Sequence, residues 1–408
     1  MWQVLETIDG TVKMLNAFYD DRAMYKQRNE SFVKILSYHR SPHPKTTLFC
    51  QFWFDDLHQP AVAEVTDYKW VWDTRWGVNN DGFTPILILC PNSFASNGLI
   101  PSSVSVVRNP CDEASNKLKV IHNLPTSKHK KPIAACMKLM EYKNDDRSAI
   151  LMEWFETMFA LGINQITVHA LIVHPNTLKL LKFYNLTGKI DFIPMTLPNG
   201  LPSSNQSLLQ FMQNQVLMYT DCFYKNMYKF KFILPIDHDE LIVPSRDVDK
   251  NLDEMLQRVV KTGKLIQDEL FSSYAARHSL FLLNNNHQGE IQPEVPKTFH
   301  FLQHVYRAQT LLPIHHSPKS FLNTEIVTSM NQHYACNCGY QKCDYYHIDI
   351  EDGKLQHFRV EVPKDVFKQR EDFRLNTIKD IALWRFKDEI IANVNKRTKE
   401  FEKFKIVN

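Results

Sequence analysis

The stretch Phe230-Lys231-Phe232-Ile233-Leu234-Pro235-Ile236-Asp237-His238-Asp239-Glu240 decides how the chain is read. A short continuous run of aromatic and branched residues is the pattern of a buried strand. The run drops into Asp-x-Asp, and Leu241-Ile242-Val243-Pro244 follows. Ligands of open α/β sheets gather at the carboxyl ends of strands, so Asp237 and Asp239 are expected at the mouth of a sheet. Paired carboxylates there can hold a hard divalent cation, which in turn holds phosphates. These residues point to a metal-dependent enzyme acting on a nucleotide-linked substrate. The triplet alone is weak, because Asp247-Val248-Asp249 repeats it in a polar context that reads as a solvated loop. What separates the first copy is the strand behind it.

Upstream, strand and helix patterns alternate. Residues 133–138 read as a buried strand, and residues 147–162 repeat apolar groups at Ile150, Trp154, Met158 and Leu161, a helical spacing. Glu153 and Glu156 fall on the polar side of that helix. Residues 166–173 read as a second strand, 175–184 as a helix, 190–194 as a third strand, and 208–226 as the helix leading into Phe230. This alternation predicts an α/β protein with a mostly parallel sheet flanked by helices. Residues 1–125 are instead rich in strand formers and turns, and a polar linker follows. Residues 130–345 carry the catalytic pattern, with a polar, turn-rich stretch at 283–300. Residues 346–408 form a C-terminal extension whose spacing at Ile378, Ile381, Trp384, Ile390 and Val394 predicts a closing helix.

With 408 residues, 44% of them hydrophobic, the chain can bury a large core in one big domain or two. The net charge of +3 is spread among acidic residues and leaves no nucleic-acid footprint. Gly is sparse at 11 residues, and without GxGxxG or GxxxxGKS/T a dinucleotide fold or P-loop is disfavoured. No apolar stretch approaches the ~20 residues that span a bilayer, and the start lacks a signal peptide's regions. Sequons at Asn29, Asn185 and Asn205, with an even count of 8 cysteines, point to a secreted or luminal protein. The cluster Cys336-x-Cys338-x4-Cys343 reads as looped disulfides or as zinc ligands. Paired zinc cysteines usually stand two or more residues apart, which favours disulfides.

Several further pieces stand in order along the chain. They are Ala17-Phe18-Tyr19-Asp20-Asp21-Arg22, Pro85-Ile86-Leu87-Ile88-Leu89-Cys90-Pro91, Met152-Glu153-Trp154-Phe155-Glu156, Asp221-Cys222, Lys319-Ser320, Met330-Asn331-Gln332-His333 and His357-Phe358-Arg359. In that order they resemble the metal-dependent glycosyltransferases of family 92. Pro235 inside the metal strand and His238 in the middle of the triplet depart from the family's pattern, yet neither removes a carboxylate. The resemblance implies a GT-A fold and a UDP-sugar donor, UDP-galactose foremost, with Mn²⁺ as the metal. It also implies inversion and transfer to a hydroxyl of a glycan or glycoprotein acceptor, such as fucose on an N-glycan. The expected location is the Golgi lumen or secretory pathway, although the family's usual membrane anchor is not in this sequence.

The resemblance favours Asp239 for direct metal coordination, Asp237 for ribose or metal contact, and His333 to complete the metal shell. It places Lys138, Glu153, Arg307 and Lys319 among the donor-binding groups. One base must take the acceptor's proton, and Glu294 is the candidate, with Glu290 nearby. Trp70, Trp72 and Trp76 read as core packing or as rings that stack on sugars. Two rival readings stay open: a catalytically silent sugar-binding relative, and a metal-dependent phosphohydrolase.

Overall fold

The computed structural model describes residues 2–41, 44–73, 76–77, 82–92, 99–199, 201, 206–362, 368 and 370–405. Asn205 of the third sequon lies outside them; Asn29 and Asn185 are both exposed. The chain forms two compact units, each assembled from distant segments. The first comprises Met1–Lys131, Met195–Ile233 and Asn323–Cys343; the second comprises Pro132–Pro194, Leu234–Leu322 and Asp344–Asn408. These units interleave, whereas the segments read from sequence (1–125, 130–345 and 346–408) are consecutive. Residues 208–226 and 329–337, inside the middle segment, belong to the first unit.

The first unit is built on a nine-stranded sheet. Its strands are β1 (Gln3–Thr7), β2 (Gly10–Asp20), β3 (Phe32–His39), β4 (Phe49–Trp53), β5 (Ala61–Glu64), β6 (Asp67–Trp70), β7 (Thr84–Pro91), β8 (Ser103–Val107) and β9 (Leu118–Ile121). Alternate residues such as Val33 and Ile35, Ile86 and Ile88, and Val104 and Val106 point into one shared core, the period-2 pattern of strands. A disulfide joins Cys50 of β4 to Cys90 of β7. The helical turn α1 (Ala23–Lys26) follows the aromatic-Asp-x-Arg signature. There Asp20, fully buried, accepts from Arg22 Nε (2.8 Å) and Lys34 Nζ (2.7 Å), so the signature builds an interior ion triad. Cys338 and Cys343 form a disulfide and Cys336 is a free thiol. That pairing removes two of the three thiolates a zinc ion would need.

The second unit carries β10 (Lys131–Tyr142), α2 (Ser148–Ala160), β11 (Gln165–Val173), α3 (Pro175–Leu186) and β12 (Ile190–Pro194). After α4 (Leu208–Asn226) of the first unit come β13 (Phe230–Ile236), β14 (Glu240–Pro244), α5 (Leu252–Lys264), β15 (Ser273–Ala276) and β16 (His278–Leu282). Then follow α6 (His300–Gln303), β17 (Tyr306–Ala308), β18 (Lys319–Asn323), the short β19 (Ser329–Met330) and β20 (Ala335–Asn337), β21 (Tyr345–Ile348) and β22 (Gly353–Arg359). The helical turn α7 (Arg370–Leu375), β23 (Thr377–Lys379) and α8 (Lys387–Lys403) close the chain.

The main sheet runs β12-β11-β10-β13-β18-β15-β21. β10, β11 and β12 are parallel, and β15 is antiparallel to β18 but parallel to β21. The architecture is therefore mixed α/β, with a β-rich N-terminal region and a C-terminal helix.

Local chemistry sets the elements. α3 begins on Pro175, whose missing N–H is harmless in a first turn. α2 ends where Gly162 adopts φ +99° and its N–H bonds to Phe159 O (3.0 Å), while Ile163 N–H reaches Met158 O (3.0 Å). That is the 5→2 and 6→1 closure for which glycine is the usual residue. One expectation fails on α2. Glu153 and Glu156 do not face solvent; both are buried. α8 packs over the helix, where Arg397 Nε lies 3.3 Å from Glu156 and Tyr184 O–H donates to the same carboxylate (2.7 Å).

Candidate active site

Where β13 ends, the next four residues form a tight turn. Glu240 N–H donates to Asp237 O (3.2 Å), and Asp237 N–H donates to Glu240 Oε2 (3.0 Å). Two neighbours fix it: Trp154 Nε1–H of α2 donates to Glu240 O (2.9 Å), and Phe358 N–H of β22 donates to Asp239 O (2.8 Å). His238 at the turn's centre is buried against Tyr142, with ring centroids 5.4 Å apart. A ring is thus accommodated in the middle of the triplet.

The chain lays β11 and β12 on one side of β10 and returns on the other side as β13. β10 and β13 therefore flank a topological switch point, where open α/β sheets bind ligands. From β10, Lys138 Nζ stands 3.3 Å from Asp237 Oδ2. From β18 on the other flank, Lys319 Nζ stands 3.2 Å from Asp237 Oδ1 and 3.1 Å from Glu240 Oε2.

Each group's charge is held by its neighbours. Asp237 raises Lys138 above the usual ammonium range. Burial alone would depress Lys319, but Asp237 and Glu240 outweigh it and raise the ammonium. Burial pushes Glu240 up, yet the Lys319 charge holds it well below the carboxylate range. Burial likewise works against Asp239, and the hydrogen bond and charge of His357 keep it low. Three carboxylates face two ammonium groups, with the His357 ring set against Asp239 and Glu240. The side chain of Asp239 is the open member at 37% exposure, against 18% for Asp237 and 2% for Glu240.

β14 pairs antiparallel with β22 so that Glu240 stands opposite His357, and β16 pairs along the other edge of β22. His357 Nε2 lies 3.5 Å from Asp239 Oδ2, and its Nδ1 lies 3.4 Å from Glu240 Oε1. His278 Nε2 approaches the same Glu240 oxygen at 3.5 Å. Glu240, His278 and His357 offer ligand atoms within 4.8 Å of one another, and the group could hold a metal ion. Carboxylate and imidazole are suitable donors for such divalent ions. Two bonds of about 2.1 Å opening near the tetrahedral angle span about 3.5 Å, so Asp239 and His357 fit as two ligands of one ion.

Residues 131–394 match the family model of glycosyltransferase family 92. The chain belongs to that family. It is accordingly a transferase that takes a sugar donor and an acceptor. No curated protein matches it significantly. Among solved structures it is similar to a mycobacterial protein (9% identity, 65% of this chain and 74% of that one, TM-score 0.23). Another is the bifunctional glycosyltransferase WbbM in its apo form (14%, 40% and 26%, TM-score 0.20). A third is glucosyl-3-phosphoglycerate synthase from Mycobacterium tuberculosis in complex with phosphoglyceric acid (9%, 65% and 80%, TM-score 0.22). Likeness at that level carries no weight here.

In this family-92 chain the turn gathers Asp237, Asp239, Lys138 and Lys319, and it adds Glu240, His278 and His357, which were not singled out as ligands. Arg307, Glu294 and Glu153 stand elsewhere in the second unit. Arg307 pairs with Asp380 at 2.9 Å, tying β17 to the segment after β23. Glu294 is exposed on the turn-rich stretch. His333 belongs to the first unit, where its N–H donates to Asn331 Oδ1 (2.6 Å). Glu153 accepts from the backbone N–H groups of His300 (2.5 Å) and Phe301 (2.8 Å) at the start of α6.

Burial pushes Glu153 up to about 7, against the pull of those amides. An acid raised in the folded state adds stability below its unfolded pKa of 4.5 and loses it as pH climbs toward about 7. Relative to Glu153→Gln, the wild type is expected to lose up to about 3 kcal/mol between those limits. Denaturant melts of both proteins at several pH values check this; a pH-independent difference would contradict it.

Proposed function

We propose that the chain is an inverting, metal-dependent hexosyltransferase of GT-A type that moves galactose from UDP-galactose to a hydroxyl of a neutral glycan. The observation that carries this reading is Asp239, open at the switch point, beside His357. A divalent cation bound there, Mn²⁺ in this reading, would act as a Lewis acid on the departing diphosphate. Asp239 and His357 would hold the ion. Glu240 Oε1, set against His357 Nδ1, favours the tautomer whose Nε2 lone pair faces Asp239, the usual way a neighbouring carboxylate orients a ligand histidine. Lys138 and Lys319, at 3.3 and 3.2 Å, hold the Asp237 carboxylate in place to meet the nucleotide's ribose or the metal.

For the acceptor, support comes from a cavity of about 320 Å³ lined by His287, Glu290, His300 and His304. His300, which burial lowers to about 4, lies with its ring centroid 6.1 Å from that of Phe358, whose N–H holds the Asp239 carbonyl, so the cavity adjoins the metal turn. Glu290 lines that cavity and pairs with His287 at 2.7 Å. Glu290, which lines the cavity where Glu294 does not, takes the place of Glu294 as the proposed base. The disulfides fit an oxidising compartment, and we place the enzyme in the Golgi or secretory lumen. Among the described residues no helix is long and apolar enough to cross a membrane.

The test is UDP release from UDP-galactose with and without Mn²⁺ and a fucosylated neutral N-glycan. Release that needs both supports transfer. Release indifferent to the glycan supports phosphohydrolysis, and donor binding without turnover supports a silent relative.

A further inference from the structure

The first unit carries a second feature that the transferase chemistry does not use. A cavity of about 520 Å³ opens beside β6 and the β19–β20 hairpin. That volume lies within the roughly 300–1,000 Å³ typical of ligand pockets. Two indoles line it with much of their surface in water: Trp70 is 41% exposed and Trp76 46%. Large apolar rings left open together mark a binding surface more often than chance exposure. Trp72, buried, backs Trp76 edge-to-face with centroids 5.3 Å apart, and its Nε1–H donates to Gly77 O (2.9 Å). The carbonyl of Trp70 accepts from Ser329 Oγ (3.2 Å) and Asn337 Nδ2 (3.1 Å). The ring platform is therefore held before any ligand arrives, which lowers the ordering cost of binding.

We infer that this cavity binds a neutral carbohydrate, independently of donor and metal. A pyranose presents a face of C–H bonds with partial positive charge, which suits the electron-rich face of an indole. Its edge presents hydroxyls, which suit the short polar side chains of the rim. Asp67 and Lys69 form an ion pair on that rim (2.5 Å), and Asp73 and Asn337 also line the cavity. The Asp67–Lys69 pair is neutral overall and gives an anionic sugar or nucleotide no net attraction. An apolar peptide, by contrast, calls for an apolar rim. Residues 67–76 lie ahead of the stretch matched by the family model, so the site is outside the part that defines the family.

The full chain, in EDTA and without nucleotide, is titrated with a neutral asialo N-glycan while saturation-transfer NMR and tryptophan fluorescence are read. The expected result is saturable binding that Trp76→Ala weakens about tenfold, that Trp76→Phe largely retains, and that Asp239→Ala leaves unchanged. Equal binding by wild type and both Trp76→Ala and Trp70→Ala, or no binding by wild type, would overturn the inference. Glycan binding that persists in a chain lacking acceptor-dependent UDP release would sink the transferase reading and leave this one standing.

Discussion

Asp239→Ala is expected to cut acceptor-dependent UDP release about a thousandfold or more. A Lewis-acidic ion stabilises a leaving diphosphate by several kcal/mol, and each 1.4 kcal/mol is about tenfold in rate. Asp239 is the most open of the three carboxylates, so its loss takes away a ligand and little packing. The turn keeps its shape, since Phe358 N–H still finds the backbone carbonyl. Thermal stability should fall only modestly, because the contact with His357 that holds the Asp239 carboxyl low is lost at an open position. The second triplet supplies the control. Asp249 is buried and paired with Arg258 (3.2 Å), and Asp247 is exposed beside Arg385 (3.3 Å). Asp247→Ala should leave turnover within twofold of wild type. An Asp239→Ala enzyme that keeps a tenth of wild-type rate would contradict the assignment.

Lys319→Met is expected to cost about 3–5 kcal/mol of folding stability, the range for removing one partner of a buried ion pair. Its ammonium is 2% exposed and serves two acids at once, Asp237 and Glu240. Without it Glu240, equally buried, loses its nearest cation and keeps the two histidines. Lys138→Met should cost much less, because its side chain is 29% exposed and serves Asp237. Urea melts of the two variants give the comparison. Similar losses for both, or a Lys319→Met loss under about 1 kcal/mol, would show that the cluster is not bound together as described.

Much of the sheet was legible because its signals are local. The apolar run at Phe230–Ile236 is continuous, and the helix Leu208–Asn226 ahead of it shows its period plainly. Asp237 and Asp239 follow from that strand's end. Glu240, His278 and His357 were harder to see as one group. They meet only through the pairing of β14 with β22 and of β22 with β16, a register between strands far apart in sequence. His357 stood in a quoted motif, but nothing local marks which residue it faces. Glu153 and Glu156 misled for a related reason. Their helix looks amphipathic alone, but the start of α6 caps Glu153, and α8, more than two hundred residues later, covers Glu156. The tryptophans divided: Trp72 is core, while Trp70 and Trp76 are open. Spacing along the chain does not separate those outcomes.

The central claim is that Asp239 and His357 together hold the catalytic metal. Electron paramagnetic resonance titration of Mn²⁺ into the full chain with UDP tests it without relying on turnover. The account predicts that His357→Gln and Asp239→Ala each weaken Mn²⁺ binding tenfold or more, while His333→Gln binds as wild type does. Wild-type Mn²⁺ affinity in His357→Gln, or a loss confined to His333→Gln, would contradict it.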